Sequence, residues 1–258
     1  MIRVAVDPTN PGQFFACCGL LELADRLWPG AEGWFEKGEF RIECDGTLDQ
    51  LLTELLEAQL VLIDCDDIYS SPGRLCGPFD LRLDWWLDKR SGGTSLKPWA
   101  GTMESIGIAV AMRQMFDRPE ARTEAMFDYG TVVPNPNDPK KKKEPYYFDA
   151  RRKSNAHPSD IGFSPNDYGL TTIAHPAVEF LCFVGLQRCR PVPTKRPRIA
   201  DYYTWARPSP VSILQAAVAG LIIDAAAKGF RFENAFRTGQ RKHKAFAPAT
   251  PLIGGSDE

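Results

Sequence analysis

The sequence lacks the long apolar run that a membrane helix needs. No stretch approaches the roughly 18 consecutive apolar residues of such a helix, and the first residues, MIRV, have no signal-peptide core. The seven cysteines form no CxxC pair, and an odd number without a secretory signal argues against a disulfide framework. We therefore expect a cytoplasmic protein that makes no contact with a membrane and packs its cysteines in the core.

Motifs of common catalytic centres are missing as well. The sequence contains no HExxH, GxSxG or GxxxxGK[ST], and its three histidines are scattered. One alternative is a metal-dependent nuclease, because Asp64, Asp66 and Asp67 offer hard oxygen ligands for a divalent cation. A lone acidic loop is more often solvated or paired with arginine, so we predict no catalytic residue, no metal and no cofactor.

A second enzymatic alternative lies further along the chain. His157, Asp160 and Asp167 stand near Ser154 and Ser164, and these residue types carry acid–base chemistry. No supporting spacing accompanies them. We therefore predict a protein that is not an enzyme and acts by binding.

Charge is divided unevenly along the chain. Residues 140–258 carry 19 Lys and Arg against 10 Asp and Glu, whereas residues 1–139 carry 12 against 23. This asymmetry favours a polyanionic partner for the basic part, and the alternative is attraction between the two parts within one fold. We predict a single compact domain over 1–258, with an acidic part (1–139), a basic part (140–236) and a flexible tail (237–258).

The pattern of apolar residues predicts an α+β fold. Helix-capping residues stand out at two places, Asn10 followed by Pro11, and Thr47 before a leucine-rich run. The interpretation of the chain, in order, is a strand at 2–6, a helix from Pro11 to about Trp28, strands near 33–35 and 40–44, a helix after Thr47, a loop at 64–80, a strand from Asp80, a helix at 102–116, a mobile loop at 134–145, a helix at 175–186, a strand at 198–205 and a helix at 211–227.

These elements do not alternate in a regular βαβα order. A mixed sheet with packed helices is therefore expected, and a ferredoxin-like (RAMP-like) core with loop insertions is one arrangement of that kind.

Two basic clusters are candidate nucleic-acid contacts. The first, KKKKEPYYFDARRK, combines positive charge with aromatic residues that would stack on bases. Its candidate residues are Lys140, Lys141, Lys142, Lys143, Arg151, Arg152 and Lys153. The alternative is a solvated loop beside aromatic residues that pack inward.

The second cluster, RCRPVPTKRPR, has no acidic residue, and three prolines stiffen it. Arginine binds phosphate through two parallel hydrogen bonds, so a rigid segment of this composition suits a binding surface. Its candidate residues are Arg188, Arg190, Lys195, Arg196 and Arg198. The alternative is that they pair with the acidic part of the chain.

Two weaker signals complete the set. The segment SGGTSLKPWAGT places Lys97 and Trp99 in a glycine-rich turn before a helix, where backbone N–H groups attract anions. A plain structural turn is the alternative, and Trp99 would then fill the core. The segment RTGQRKHKAF from Arg237 is a third basic cluster, which either becomes ordered on nucleic acid or only aids solubility.

Four separated blocks resemble one family. DPTNPGQFFACCGLLELADRLWPGAEGWF, LDWWLDKRSGGTSLKPWAG, YYFDARRKSNAHPSDIGFSPND and PAVEFLCFVGLQRCRP are similar to the small CRISPR-associated protein of type I-U (type I-G) systems, a member of the Csb group. The resemblance runs from about residue 3 to about residue 220. None of the blocks is a chemically diagnostic motif.

The resemblance implies a subunit of the crRNA-guided effector complex, Cascade. Its partners would be crRNA or target DNA, other Cascade subunits of the backbone and Cas5/6-fusion types, and a separate helicase-nuclease that the complex recruits for antiviral defence. It implies no catalytic residues. A large-subunit position and a RAMP-type position both stay open, and so does a scaffold that touches only protein.

Overall fold

The computed structural model describes residues 1–63, 69, 71–101, 103–151, 173–237 and 243–252. It contains both helices and antiparallel sheets, which confirms the predicted α+β class. The α-helices of the described part are α1 (Pro11–Leu27), α2 (Leu48–Glu57), α3 (Gly93–Leu96), α4 (Ser105–Gln114), α5 (Pro176–Arg188) and α6 (Leu214–Val218). None of them is long and apolar enough to cross a membrane.

The strands of the described part form antiparallel sheets. They are β1 (Ile2–Ala5), β2 (Glu32–Glu36), β3 (Glu39–Glu43), β4 (Leu60–Leu62), β5 (Gly73–Leu75), β6 (Leu81–Leu83), β7 (Pro134–Asn135), β8 (Asp138–Lys142), β9 (Val192–Pro193), β10 (Ile199–Tyr203), β11 (Ser209–Pro210), β12 (Gly229–Phe236), β13 (Lys244–Phe246) and β14 (Thr250–Pro251).

Helices α1 and α5 form the centre of the core. Almost every residue of both helices is buried, as expected for helices that are apolar on all sides. They cross at Gly19 and Gly185, where an added Cβ would overlap the carbonyl oxygens of Leu181 and Phe15 respectively. Glycine is required at both positions because the two backbones are in direct contact.

The first sheet has the strand order β1-β3-β2-β11. The elements β1, α1, β2, β3 and α2 follow the first part of a ferredoxin-like unit, with β3 between β1 and β2. The next strand departs from that pattern, because β4 pairs with β5 in a separate sheet of order β4-β5-β6. The ferredoxin-like expectation therefore fits only this N-terminal portion.

The second sheet has the order β13-β12-β10-β9, and β14 also pairs with β12. Tyr202 on β10 packs against Phe14 of α1 with ring centroids 4.4 Å apart, which joins this sheet to the central helices. The prediction of a flexible tail over 237–258 is wrong for residues 243–252, because β13 and β14 complete the sheet and Phe246 is fully buried.

Three other local predictions need correction. The expected mobile loop at 134–145 contains the hairpin of β7 and β8. The expected loop at 64–80 contains β5. The expected helix at 211–227 begins with a 3-10 turn and ends at Val218, since Gly220 takes a left-handed conformation (φ 70°) that stops it.

The prediction that the cysteines pack in the core is confirmed for four of them, whereas Cys44 and Cys76 are only partly buried. Cys17, Cys18, Cys182 and Cys189 are free and buried, and burial raises the pKa of each thiol. Such thiols behave as small apolar side chains. Cys65 lies outside the described residues.

Candidate nucleic-acid interface

The second basic cluster is an ordered turn, as its prolines predicted. It leaves the C-terminal end of α5, forms β9 and returns along β10. The Thr194 hydroxyl fixes the turn: it donates to the carbonyl of Ile199 and accepts from the backbone N–H of Arg196. The charged side chains therefore project from a defined backbone.

Two of its arginines are engaged by the acidic part of the chain. Arg188 pairs with Glu22 of α1, which is only 2% exposed and also accepts from Arg26 at 2.8 Å. Arg190 pairs with Asp88 at 2.8 Å. For these two residues the alternative interpretation, attraction between the acidic and basic parts, describes the contacts that the structure shows.

The two carboxylates are tightly held. Burial alone would raise the pKa of Glu22, but hydrogen bonds from Arg188 and Arg26 outweigh it, and the pKa is lowered. Hydrogen bonds from the Ser91 hydroxyl and backbone, with that of Arg90 and the charge of Arg190, lower the pKa of Asp88 to about 2. Both groups stay ionised at neutral pH, so the arginines keep their partners.

The rest of the turn has a different environment. Lys195 and Arg196 are exposed, and neither forms an ion pair within the described part of the chain. Arg198 lies over the ring of Phe236, 4.7 Å from its centroid, and approaches Glu233 at 3.5 Å. Lys195 and Arg196 are therefore accessible to a large ligand, whereas Arg198 is half-buried.

Arg198 is one of three cations that the fold gathers, and we call Lys97, Arg198 and Lys244 the cationic cluster. They come from three separate parts of the sequence. Burial, and then the charges of Arg198 and Lys97, lower the pKa of Lys244 to about 8. An ammonium group that is pushed toward its neutral form in this way is held close to like charges.

A single buried side chain holds the cluster together. Asn234 on β12 is 1% exposed, and its side-chain amide donates to the carbonyls of Ser95 at 2.8 Å and Leu96 at 3.0 Å. Its backbone N–H donates to the carbonyl of Arg198 at 2.9 Å. The ammonium group of Lys244 donates to the same Ser95 carbonyl at 3.1 Å. The turn before Trp99, the turn at Arg198 and the end of β12 are thereby fixed relative to one another.

Unsatisfied polar atoms surround this cluster. Trp99 Nε1, Arg198 Nε, Asn234 Oδ1 and Arg237 Nε are buried and have no hydrogen-bond partner within the described residues. Buried polar atoms usually have a partner, so a group of exceptions requires an explanation such as a bound ion or water.

Backbone strain occurs at the same place. Arg198 has φ 66° and Tyr147 has φ 74°, a left-handed region that L-residues other than asparagine and aspartate rarely adopt. Arg237 stacks on the ring of Tyr147, with its guanidinium carbon 3.4 Å from the ring centroid. Strain of this kind collects at ligand-binding sites, where surrounding contacts enforce it.

The glycine-rich turn contributes in a different way from the one predicted. Helix α3 has only four residues, and three of its N–H groups are already used, since Thr94 donates to the carbonyl of Asp88 and both Ser95 and Leu96 donate to that of Gly92. Anion binding by this helix N-terminus is therefore not supported. The turn instead supplies Lys97 and the Ser95 carbonyl that positions Lys244.

The aromatic residues proposed for base stacking belong to the core. Trp99 is 4% exposed and packs edge-on against Trp85, and Tyr146 and Phe148 are fully buried. The prediction that Trp99 contacts nucleic acid is wrong, and the alternative that it fills the core is correct. Lys97 lies 5.2 Å from the centre of its ring.

The lysine run of the first cluster lies on the β7–β8 hairpin and its exit. Lys140 is exposed. The other lysines approach carboxylates: Lys141 to Asp138 at 3.1 Å, Lys142 to Glu144 at 3.7 Å and Lys143 to Glu104 at 3.3 Å. These are partly exposed pairs, which are weak and exchange readily.

Arg151 has a structural role. It pairs with the fully buried Asp149 at 2.7 Å and with Asp128 at 2.8 Å. Burial alone would raise the pKa of Asp149, but hydrogen bonds and charge from Arg151 outweigh it and lower that pKa. Arg152 and Lys153 lie outside the described residues, so their predicted contacts stay predictions.

Three residues of the site were missed by the sequence prediction. Arg237 and Lys244 belong to the third basic cluster, which was assigned to the tail, and Asn234 is an uncharged residue inside a strand. The local signal for β13 was the segment KAF, in which two apolar residues follow one charge beside a basic cluster.

The enzymatic alternatives gain no support within the described ranges. No group of three or more His, Cys, Asp or Glu side chains there is arranged to hold a metal ion. Asp64, Asp66 and Asp67 lie outside the described residues, and so do Ser154, His157, Asp160, Ser164 and Asp167. Comparison with protein-family models, curated proteins and solved structures finds no match to this chain.

Proposed function

We propose that this chain is a non-catalytic, cytoplasmic subunit of a type I CRISPR effector complex, Cascade, and that it binds crRNA or target DNA through the cationic cluster together with Lys195 and Arg196. Its protein partners would be subunits of the backbone and Cas5/6-fusion types, and a separate helicase-nuclease. The likeness of the four sequence blocks supports the choice of complex. The cationic cluster supports contact with nucleic acid.

The cationic cluster is the observation that carries this proposal. Like charges held together at a half-buried site destabilise the free protein, and an anion that binds there removes the repulsion. The sugar-phosphate backbone of a nucleic acid is a polyanion that lysine and arginine side chains neutralise. Lys195 and Arg196 lie on the same turn as Arg198 and are exposed. They extend the positive surface outward.

The mode of recognition follows from the types of side chain present. Lysine and arginine at the surface neutralise phosphates and fix the position of a strand without reading its sequence. In a guide-RNA complex, base pairing supplies most of the sequence specificity. This division of labour suits a subunit whose aromatic residues are largely used in its own core.

Salt-dependent binding of the isolated chain tests the proposal. Fluorescent single-stranded RNA, single-stranded DNA and duplex DNA are titrated with the wild type and with a Lys195→Gln, Arg196→Gln, Arg198→Gln variant, at several salt concentrations. The expected result is weaker binding and a shallower dependence on salt for the variant, because about three phosphate contacts are lost. Arg190→Gln is the matched control, since Arg190 is held by Asp88.

The assembled complex provides a second test. We expect purified complex to retain crRNA, and photo-crosslinks to appear on peptides that contain Arg198 or Lys244. Crosslinks confined to other subunits, together with unchanged binding by the triple variant, would contradict the proposal. Cleavage of labelled RNA or DNA with Mg²⁺ or Mn²⁺ that Asp66→Ala abolishes would instead favour the nuclease.

A scaffold that touches only protein is the second candidate, and one observation favours it. Leu221 and Ile223 are 76% and 94% exposed beside a cavity of about 460 Å³. Exposed apolar side chains beside a cavity are typical of protein-binding sites. Unchanged nucleic-acid affinity in the triple variant, with lost complex assembly in a Leu221→Ser, Ile223→Ser variant, would identify the scaffold.

A further inference from the structure

We propose that Lys97, Arg198 and Lys244 enclose a discrete site for one phosphate group, distinct from the diffuse attraction that exposed lysines exert. The inference rests on the proposed function for the identity of the ligand, which would be one backbone phosphodiester of the bound strand. Inorganic phosphate presents the same oxyanion and is the simplest probe of the site.

Preorganisation is the first argument for a discrete site. The Lys244 ammonium group is fixed by the Ser95 carbonyl, and the Arg198 guanidinium is fixed by stacking on Phe236. Lys97 lies against the buried ring of Trp99. Exposed lysines such as Lys141 have no comparable support, because their side chains extend into solvent. Charges that are already positioned lose little conformational entropy when an anion binds.

The buried atoms without partners are the second argument. Arg198 Nε is a buried donor with no acceptor within the described part of the chain, and Asn234 Oδ1 is a buried acceptor with no donor there. A phosphate oxygen would satisfy the arginine donor, and a water or hydroxyl carried with the ligand would satisfy the asparagine. Diffuse attraction of a polyanion by exposed charges involves no buried hydrogen-bonding atoms, whereas a discrete site does.

Binding at this site is coupled to protonation of Lys244. The pKa of Lys244 is lowered to about 8 by burial and by Arg198 and Lys97, so the neutral form is substantially populated at pH 8 in the free protein. A phosphate favours the charged form and raises that pKa. Complex formation near pH 8 therefore takes up protons, and affinity falls as the pH rises further, by at most tenfold per unit for one proton.

The groups around Lys244 set the sign of this effect. Lys97 and Arg198 oppose its charge. On the neighbouring strand β12, Glu233 is turned to Arg198 and Arg237 stacks on Tyr147. Within the described residues, His243 is next to Lys244 in the chain, and Glu144 accepts from the Tyr147 hydroxyl. Lys97 and Arg198 are the charges that act on Lys244, and Arg198 also approaches Glu233, so an incoming anion competes with that carboxylate.

A titration with sodium phosphate tests the site directly. Lysine side-chain NMR signals and thermal unfolding are followed at pH 8, against sodium chloride of equal ionic strength. We expect phosphate, and not chloride, to raise the pKa of one lysine by at least half a unit and to raise Tm. Lys244→Met should abolish both effects, whereas Lys228→Met, which removes an exposed lysine at the opposite end of β12, should leave them unchanged.

Lys244→Arg keeps the test decisive even where the methionine variant folds poorly. Arginine stays charged up to pH 12, so affinity for single-stranded RNA should be nearly constant from pH 7 to 9.5 in this variant and should fall several-fold in the wild type. A pH dependence that is the same in both proteins, or a phosphate effect no greater than that of chloride, overturns the discrete site.

The two proposals fail in different ways. Nucleic-acid binding without a specific phosphate effect leaves the proposed function standing and overturns the discrete site. A specific phosphate effect without any binding of RNA or DNA does the reverse, since the site then serves a smaller phosphorylated ligand.

Discussion

The two ends of the segment 188–198 use the same residue type for opposite purposes. At one end, Arg188 and Arg190 meet carboxylates of the acidic part of the chain. At the other end, Arg198 stacks on Phe236 and approaches Glu233, and its charge adds to burial in lowering the pKa of Lys244. The first pair stabilises the folded chain, whereas we expect the second group to oppose folding and to favour a bound anion. Net charge along a sequence therefore does not reveal which charges are available to a ligand.

The difference arises from what lies opposite each end. Glu22 belongs to a helix that is buried on nearly all sides, and a buried carboxylate must be paired. The far end of the turn meets the strands β12 and β13, whose nearest charged residues are mainly basic. One short, stiff segment thus spans an internal contact and a candidate binding surface.

The largest expected effect on stability comes from removing Arg188, at the end of the segment that pairs with carboxylates. Arg188→Met should lower the free energy of unfolding by about 2–3 kcal/mol, because Glu22 remains buried with only Arg26 as a partner. Affinity for RNA should change less than twofold. Urea unfolding and fluorescence anisotropy on the same preparation measure both quantities. A loss of affinity without a loss of stability would reverse the assignment of this end.

Removing the charges of the cationic cluster should have the opposite profile. The variant Lys97→Gln, Arg198→Gln, Lys244→Gln is expected to bind RNA about 10- to 100-fold more weakly at 0.15 M salt, from the loss of two or three phosphate contacts. Its stability should be equal to or higher than that of the wild type. The same change made at Lys37, Lys89 and Lys228 is the control for net charge, and an equal loss of affinity there would indicate diffuse attraction only.

A smaller expected effect is the pH dependence of stability that Lys244 causes. Lys244→Met should stabilise the free protein by about 1 kcal/mol at pH 7, the full shift being reduced because the group is partly solvated. In the wild type, the folded pKa of about 8 lies below the ordinary value of 10.5. The unfolded state therefore binds more protons between pH 8 and 10.5, and wild-type stability rises across that window.

Thermal or urea unfolding at pH 7, 8.5 and 10 measures this difference. The advantage of the methionine variant should be constant below pH 8 and should shrink toward zero by pH 10. An advantage that does not depend on pH would mean that packing, and not charge, is responsible.

The smallest expected effect is at the conspicuous lysine run. Lys141 is 75% exposed and pairs with Asp138 three residues away. Lys141→Gln should change stability by less than about 0.5 kcal/mol, as exposed pairs usually do, and should reduce RNA affinity by less than about threefold. A larger loss of affinity than in the cluster variant would move the interface to the β7–β8 hairpin.

Local signals in the sequence were enough to predict much of the fold. Asn10 caps α1 by accepting from the N–H groups of Gly12 and Gln13, and Thr47 forms a complete capping box with Gln50. Helix beginnings of this kind depend only on residues within one turn of the chain. The paired strands β2 and β3 were predictable for the same reason, since the turn Lys37-Gly38 joins them directly.

Features that depend on distant residues were not predictable in this way. Arg188 and Arg190 meet partners 166 and 102 positions away. The strand β13 exists because β12 pairs with it, although its own sequence is short and begins with a charge. The helix expected over 211–227 stops early at the left-handed Gly220, and beyond it Asp224 accepts from the backbone N–H groups of Ala206 and Ala226.

The close crossing of α1 and α5 has a consequence for synthesis of the chain. The two helices are separated by roughly 150 residues, and at about 5–20 residues per second a ribosome needs about 8–30 s to make that length. Throughout that interval α1 lacks the helix against which most of its surface packs. We therefore expect slower translation between the two helices to lower the yield of folded protein.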